Sequence, residues 1–203
     1  METDVYKTIA SPSEGIYKEK GSRFIALAYP VANEEEIRTI ISQLKEKYYD
    51  ARHHCYAWRL GSEEIRFRAN DDGEPSSTAG KPILGQLVSH DLTYILIVVI
   101  RYFGGIKLGV SGLTNAYREA AADALSHANI VEKTVNKIIR IQYSYLVMND
   151  VMKIIKEENP EILERNFEME CEMVMSIRKN NFLSLKTRLK QIGSLSITEE
   201  KDL

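Results

Sequence analysis

Two loop segments carry the side chains and backbone freedom that ligand chemistry needs. The first reads Asp71-Asp72-Gly73-Glu74-Pro75-Ser76-Ser77-Thr78-Ala79-Gly80-Lys81-Pro82. The second reads Arg101-Tyr102-Phe103-Gly104-Gly105-Ile106-Lys107-Leu108-Gly109-Val110-Ser111-Gly112. Each runs into an apolar helical pattern, so each ends where unspent backbone N–H groups meet hydroxyls and a cation. That combination suits a phosphate or a carboxylate. The residues in position to hold one are Ser76, Ser77, Thr78, Lys81, Arg101, Tyr102, Gly104, Gly105, Lys107 and Ser111. A plainer reading has the glycines making tight turns while Ser and Thr cap helices. Two such loops in one small domain exceed what capping requires, and at the level of sequence both readings stand.

Familiar fingerprints do not fit. A P-loop leaves four residues between Gly and Gly-Lys and follows them with Ser or Thr. Here six residues separate Gly73 from Gly80, and Pro82 takes the hydroxyl position. Glycines at 104, 105, 109 and 112 do not make G-x-G-x-x-G. His53 and His54 adjoin on a strand pattern, so their side chains leave opposite faces and cannot share one metal without distortion. Neither Cys55 beside them nor the distant Cys171 completes a zinc spacing, so no metal and no cofactor are expected. Ser111 lacks the second glycine of a nucleophile elbow. The catalytic candidates that remain are His54, as a general base, and Asp72, as its carboxylate neighbour. Asp71, Asp72 and Glu74 equally suit a solvated turn.

The elements around these loops read as two α/β units joined near residues 129–136. Strand patterns at 15–18 and 23–27 flank a Lys20-Gly21-Ser22 turn. Asn33 and Glu36 then open a helix whose Ile37, Ile40, Ile41, Leu44 and Tyr48 share a face. A hairpin pattern covers 53–60 and 65–68, and a short apolar helix 83–88. Residues 93–100 are β-branched and apolar without alternation, as in a strand buried on both faces. Leu113, Ala116, Tyr117, Ala120, Ala121, Ala124 and Leu125 mark a long helix, its alanines small enough for close packing on a sheet. Beyond it, period two at Ile139, Ile141, Tyr143 and Tyr145 precedes a helix that ends before Asn159-Pro160. A strand is expected over 167–175, where Phe167, Met169, Cys171, Met173 and Met175 alternate with Glu168, Glu170, Glu172 and Val174. The acids of that alternation would repel phosphate and should pair with Arg140 or Lys137, or dock a protein. A helix over 182–192 and a last strand follow, and a further strand over 161–166 would make the order βαββαβ.

The chain has 203 residues, 27 basic and 29 acidic, for a formal charge of −2. Neither half carries a basic excess, so any nucleic-acid binding has to come from a local patch. Arg101, Lys107, Lys81 and Arg118, near Tyr102 and Phe103, are the material for one. The longest apolar run, Ile95 to Ile100, is far short of the ~18 residues of a membrane span. The opening Met-Glu-Thr-Asp has no leader character, and a cytoplasmic protein is the expectation.

The two loops, taken whole, resemble the YigZ/IMPACT family. Asp72-Gly73-Glu74-Pro75-Ser76, Thr78-Ala79-Gly80-Lys81-Pro82-Ile83-Leu84, Arg101-Tyr102-Phe103-Gly104-Gly105, Lys107-Leu108-Gly109, Gly112-Leu113 and Ala116-Tyr117 carry the resemblance. Ser77, Ser111 and Asn115 depart from it, Asn115 where an arginine is common. The resemblance implies an α+β protein. Residues 1–130 would form an IMPACT-type domain with the fold of the second domain of ribosomal protein S5. Residues 137–203 would form a ferredoxin-like domain similar to the last domain of elongation factor G. It also implies a non-catalytic regulator associated with translation, since eukaryotic relatives are linked to its control under stress. RNA, the ribosome or a translation-associated protein would be the partner, held in an anion-receptive groove between loops 71–82 and 101–112. The alternative is an enzyme acting on a small phosphorylated or carboxylated metabolite in the same groove.

Overall fold

The structure, a computed structural model, describes residues 4–167 and 170–202. It divides into two compact units, residues 6–133 and residues 134–202 with residues 4–5. The architecture is α+β in both.

In the first unit, β1 (Val5–Ile9) is followed by the hairpin of β2 (Ser13–Glu19) and β3 (Ser22–Pro30). Helix α1 (Glu34–Lys47) starts on a capping box. The Glu36 N–H donates to Asn33 Oδ1 at 2.9 Å, and the Glu36 carboxylate reaches back to the Ala32 N–H at 2.8 Å. Next come β4 (His53–Leu60), β5 (Arg66–Asn70), α2 (Gly80–Ser89), β6 (Ile95–Tyr102), α3 (Gly109–Ser126) and β7 (Ile130–Thr134). Five strands form an antiparallel sheet in the order β2-β3-β6-β4-β5. Its central strand, β6, explains the apolar run without alternation. Ile95, Ile97 and Val99 face a core built with Leu87 of α2 and Ala116, Ala120 and Ala124 of α3. Leu96, Val98 and Ile100 face the other core, with Ile37 and Leu44 of α1 and Trp58. Helices cover both faces, so an antiparallel strand reads like one from a parallel sheet. The register sets His53 opposite Arg101 at the end of β6 that leads into the second loop.

The segment expected to link the units holds a strand instead, since β7 pairs with β1. The second unit runs β8 (Asn136–Tyr143), a 3₁₀ turn (Tyr145–Val147), α4 (Met148–Glu158), β9 (Glu161–Phe167), β10 (Cys171–Arg178), α5 (Lys179–Lys190) and β11 (Leu195–Asp202). Its antiparallel sheet has the order β11-β8-β10-β9. The single strand expected over 167–175 is corrected to a hairpin: Phe167 closes β9 and Cys171 opens β10, directly opposite it. Glu168 and Met169 lie outside the described residues. Of the acids expected to pair with Arg140 or Lys137, Glu172 does meet Arg140, which also lies 3.8 Å from Glu164 on β9. Asp4 is buried here. Arg178 donates to both its carboxylate oxygens at 2.7 Å, and the Asn180 N–H in the first turn of α5 donates to one of them at 3.2 Å.

Candidate functional site

The acids of the first loop all turn inward. One Asp71 oxygen accepts from the Ala79 and Gly80 N–H groups at 3.0 and 2.8 Å, and the other from the Ser77 N–H at 2.8 Å. Helix α2 therefore begins on an anion that the chain itself supplies. Asp72 accepts from the His54 N–H at 2.7 Å and from Lys45 Nζ at 3.1 Å. Glu74 Oε1 accepts from Arg101 Nη1 at 2.6 Å and from the Tyr117 hydroxyl at 2.8 Å. Both amide and hydroxyl of the buried Thr78 donate to the Pro75 carbonyl. Unspent amides were expected from both loops, and this loop corrects that expectation: its helix start is satisfied by its own acid.

The second loop differs. Arg101 is 6% exposed, its guanidinium 5.4 Å from the Phe24 ring centroid and 5.6 Å from that of Phe103. Glu74 takes its Nη1, while its Nε has no partner among the described residues. The Tyr102 hydroxyl donates to Asp50 at 2.8 Å, and its ring packs under Arg23. Gly104 donates its N–H to Ser22 Oγ at 3.1 Å. A Cβ on Gly104 would fall 1.9 Å from the Gly21 carbonyl carbon, so this glycine lets the loop close on the β2–β3 turn. Lys107 and Ser111 are exposed, and no side chain caps α3.

These residues line two depressions. One, of about 450 Å³, is bounded by Arg52, His53, Glu74, Arg101, Phe103, Lys107 and the start of α3 from Leu108 to Val110. The other, of about 500 Å³, lies between α2 and α3 and takes Ser77, Lys81, Gln86, Thr114 and Arg118. Arg101 and Lys107 are thus brought together, as are Ser77 and Lys81, but in separate depressions rather than one groove. Ser76, Thr78, Tyr102, Gly104, Gly105 and Ser111 line neither of them. Nothing in the sequence singles out Arg52, and His53 is weighed there only as a metal ligand and not as a neighbour of this site. What brings them in is the antiparallel pairing of β4 with β6, strands separated in the chain by β5 and α2, which sets residue 53 opposite Arg101.

The catalytic candidates do meet, since His54 Nδ1 lies 3.8 Å from Asp72 Oδ2, but neither lines either depression. His54 is buried, its Nε2 3.2 Å from the Tyr48 carbonyl oxygen. Burial pushes its pKa down against the pull of Asp72, so the ring is neutral near pH 7. The Cys55 thiol donates to the Asp71 carbonyl at 2.9 Å and has its sulfur 3.3 Å from the Tyr117 oxygen, and burial raises its pKa, which leaves it unreactive. Among the described residues no three His, Cys, Asp or Glu side chains gather as a metal site requires. No helix among them is long and apolar enough to cross a membrane.

An α+β chain in which two glycine-rich loops frame the start of one helix is the class that this fold and site define. The Impact N-terminal domain family matches residues 20–125, a span that holds both loops, and the chain belongs to the IMPACT family. It is 36% identical over 152 residues to the IMPACT family member YvyE of Bacillus subtilis, covering 75% of this chain and 70% of that protein. To the IMPACT family member YigZ of Escherichia coli it is 32% identical over 163 residues, covering 78% and 79%. A crystal structure of a hypothetical protein, 28% identical, superposes with a TM-score of 0.71 over 96% of this chain and 97% of its own.

Proposed function

We propose that this chain is a non-catalytic binding and regulatory protein of translation, cytoplasmic, and that it holds RNA on the surface flanking the start of α3. The observation that carries the reading is the disposition of charge. Arg52, Lys81, Lys107 and Arg118 are exposed, and no ion pair among the described residues engages them. The nearby Asp71, Asp72 and Glu74, which would repel phosphate, are consumed by the protein's own donors. A local basic surface is thereby left on a chain of net charge −2. Phe103, 54% exposed at the wall of the first depression, offers a ring face on which a base can stack.

The translational setting comes from the family, whose eukaryotic members are linked to control of translation under stress. Two domain assignments go with it. Residues 6–133 are assigned the fold of the second domain of ribosomal protein S5. The remainder is assigned a ferredoxin-like fold, a reading that the order β8-α4-β9-β10-α5-β11 and the strand arrangement β11-β8-β10-β9 support.

Titration of a single-stranded RNA across a salt series tests the reading. Lys107→Ala and Arg118→Ala should each weaken binding and lower the slope of log affinity against log salt by about 0.7, the share of one phosphate contact on a single strand. Absence of affinity at low salt, or slopes that neither variant changes, would overturn it.

A further inference from the structure

We propose that the depression beside the first turn of α3 is a site for a phosphate monoester, either the terminal phosphate of an RNA strand or that of a free nucleotide. The proposal rests on the RNA-binding reading of the same surface and says which part of the ligand goes where.

The first turn of α3 faces this depression through Leu108, Gly109 and Val110. Its cap residue is Leu108, no side chain accepts from its amides, and no backbone acceptor outside the helix takes the N–H of Gly109, Val110 or Ser111 among the described residues. Gly109 has φ +74°, a conformation that other residues rarely adopt, and a Cβ there would meet no atom within 4 Å. The backbone is therefore open to a ligand oxygen. Helix starts of this kind draw anions, and α2, which takes Asp71 for the purpose, shows what such a start accepts.

A second observation, independent of the helix, points the same way. Arg101 lines this depression while 6% exposed, with its Nη1 spent on Glu74, its Nε sealed without an acceptor, and its Nη2 making no hydrogen bond among the described residues. A buried guanidinium with donors to spare in a cavity wall calls for an acceptor from outside. The charge around the cavity decides which one. Arg52, Arg101 and Lys107 against Glu74 leave two formal positive charges. An internal phosphodiester answers one of them, whereas a monoester brings about −1.5 to −2 at neutral pH and answers both. A volume of about 450 Å³ suits a ligand the size of one nucleotide, with its base on Phe103 and its phosphate on α3.

The test uses the full chain and one RNA sequence prepared with a 5′-monophosphate, with a 3′-monophosphate, or with hydroxyls at both ends. Adenosine 5′-monophosphate and adenosine are compared separately, by the amide NMR shifts of Gly109 and Val110. A terminal phosphate should tighten RNA binding about tenfold or more, the worth of one charge-assisted hydrogen bond, and Lys107→Ala, an exposed position, should abolish that preference. The nucleotide should move both amides and adenosine neither. A preference confined to RNA identifies a strand end as the source, and shifts with the nucleotide alone identify a free nucleotide. Equal affinity for all three RNAs together with unmoved amides overturns the monoester site and leaves the RNA reading standing. Absence of RNA affinity at low salt sinks that reading instead, and the nucleotide comparison then decides the site by itself.

Discussion

A buried carboxylate that serves a guanidinium and a phenol at once, as Glu74 serves Arg101 and Tyr117, is held only while both charges of the pair remain. Glu74→Ala leaves Arg101 buried without its anion. Urea unfolding of the full chain should show a loss of roughly 3–5 kcal/mol in the first unit. Tyr117→Phe removes one neutral donor, while Arg101 keeps Glu74 and Cys55 keeps the Asp71 carbonyl, so its cost should be about 1 kcal/mol. Equal losses for the two variants would contradict this account of the cluster. The sequence exposed Arg101 and Lys107 as cations and Asp71, Asp72 and Glu74 as acids, which is all that residue types disclose. That Arg101 is buried beside Glu74 while Lys107 is exposed depends on which strand end meets which loop, and no local spacing encodes that.

At the scale of elements, the two helix starts divide the labour. Asp71 closes three amides at the beginning of α2, whereas α3 begins without an acceptor. Asp71→Ala should cost about 1–2 kcal/mol, as loss of a strong cap does, and speed hydrogen exchange at Ala79 and Gly80. Unchanged exchange there would show that the carboxylate is not what orders this turn. Elements with a strong local pattern were legible: α1 with its capping box, the β2–β3 hairpin, β6 with its unbroken apolar run, and α3. Two kinds of element were not. β1 and β7 have five residues each and mix polar with apolar side chains, so they carry no period to read. The hairpin of β9 and β10 hides because alternation continues across its connection, and a period of two cannot report a reversal of direction.

For the whole molecule, the placement of Asp4 is the decisive feature. Hydrogen bonds from Arg178 hold its carboxyl below the usual carboxylate range, against the opposing effect of burial. The folded value lies under the unfolded one, so an unfolded chain takes up this proton first as pH falls. The contribution is complete above the ordinary carboxylate value of about 4 and disappears as pH drops through the folded value. Asp4→Asn should therefore flatten the acid limb of unfolding for residues 134–202 and leave that of residues 6–133 where it was, as amide NMR across an acid titration would resolve. Identical acid limbs in variant and parent would rule out this role. A boundary drawn from the sequence near residue 130 assigned the first residues to the wrong unit, because a single aspartate far from its partner leaves no pattern.

That partnership spans 174 positions, and translation is directional. At ~5–20 residues per second, Asp4 leaves the ribosome roughly 9–35 s before Arg178 does. The unit of residues 134–202 thus gains this ion pair only once Arg178 has followed, from a residue made 174 positions earlier.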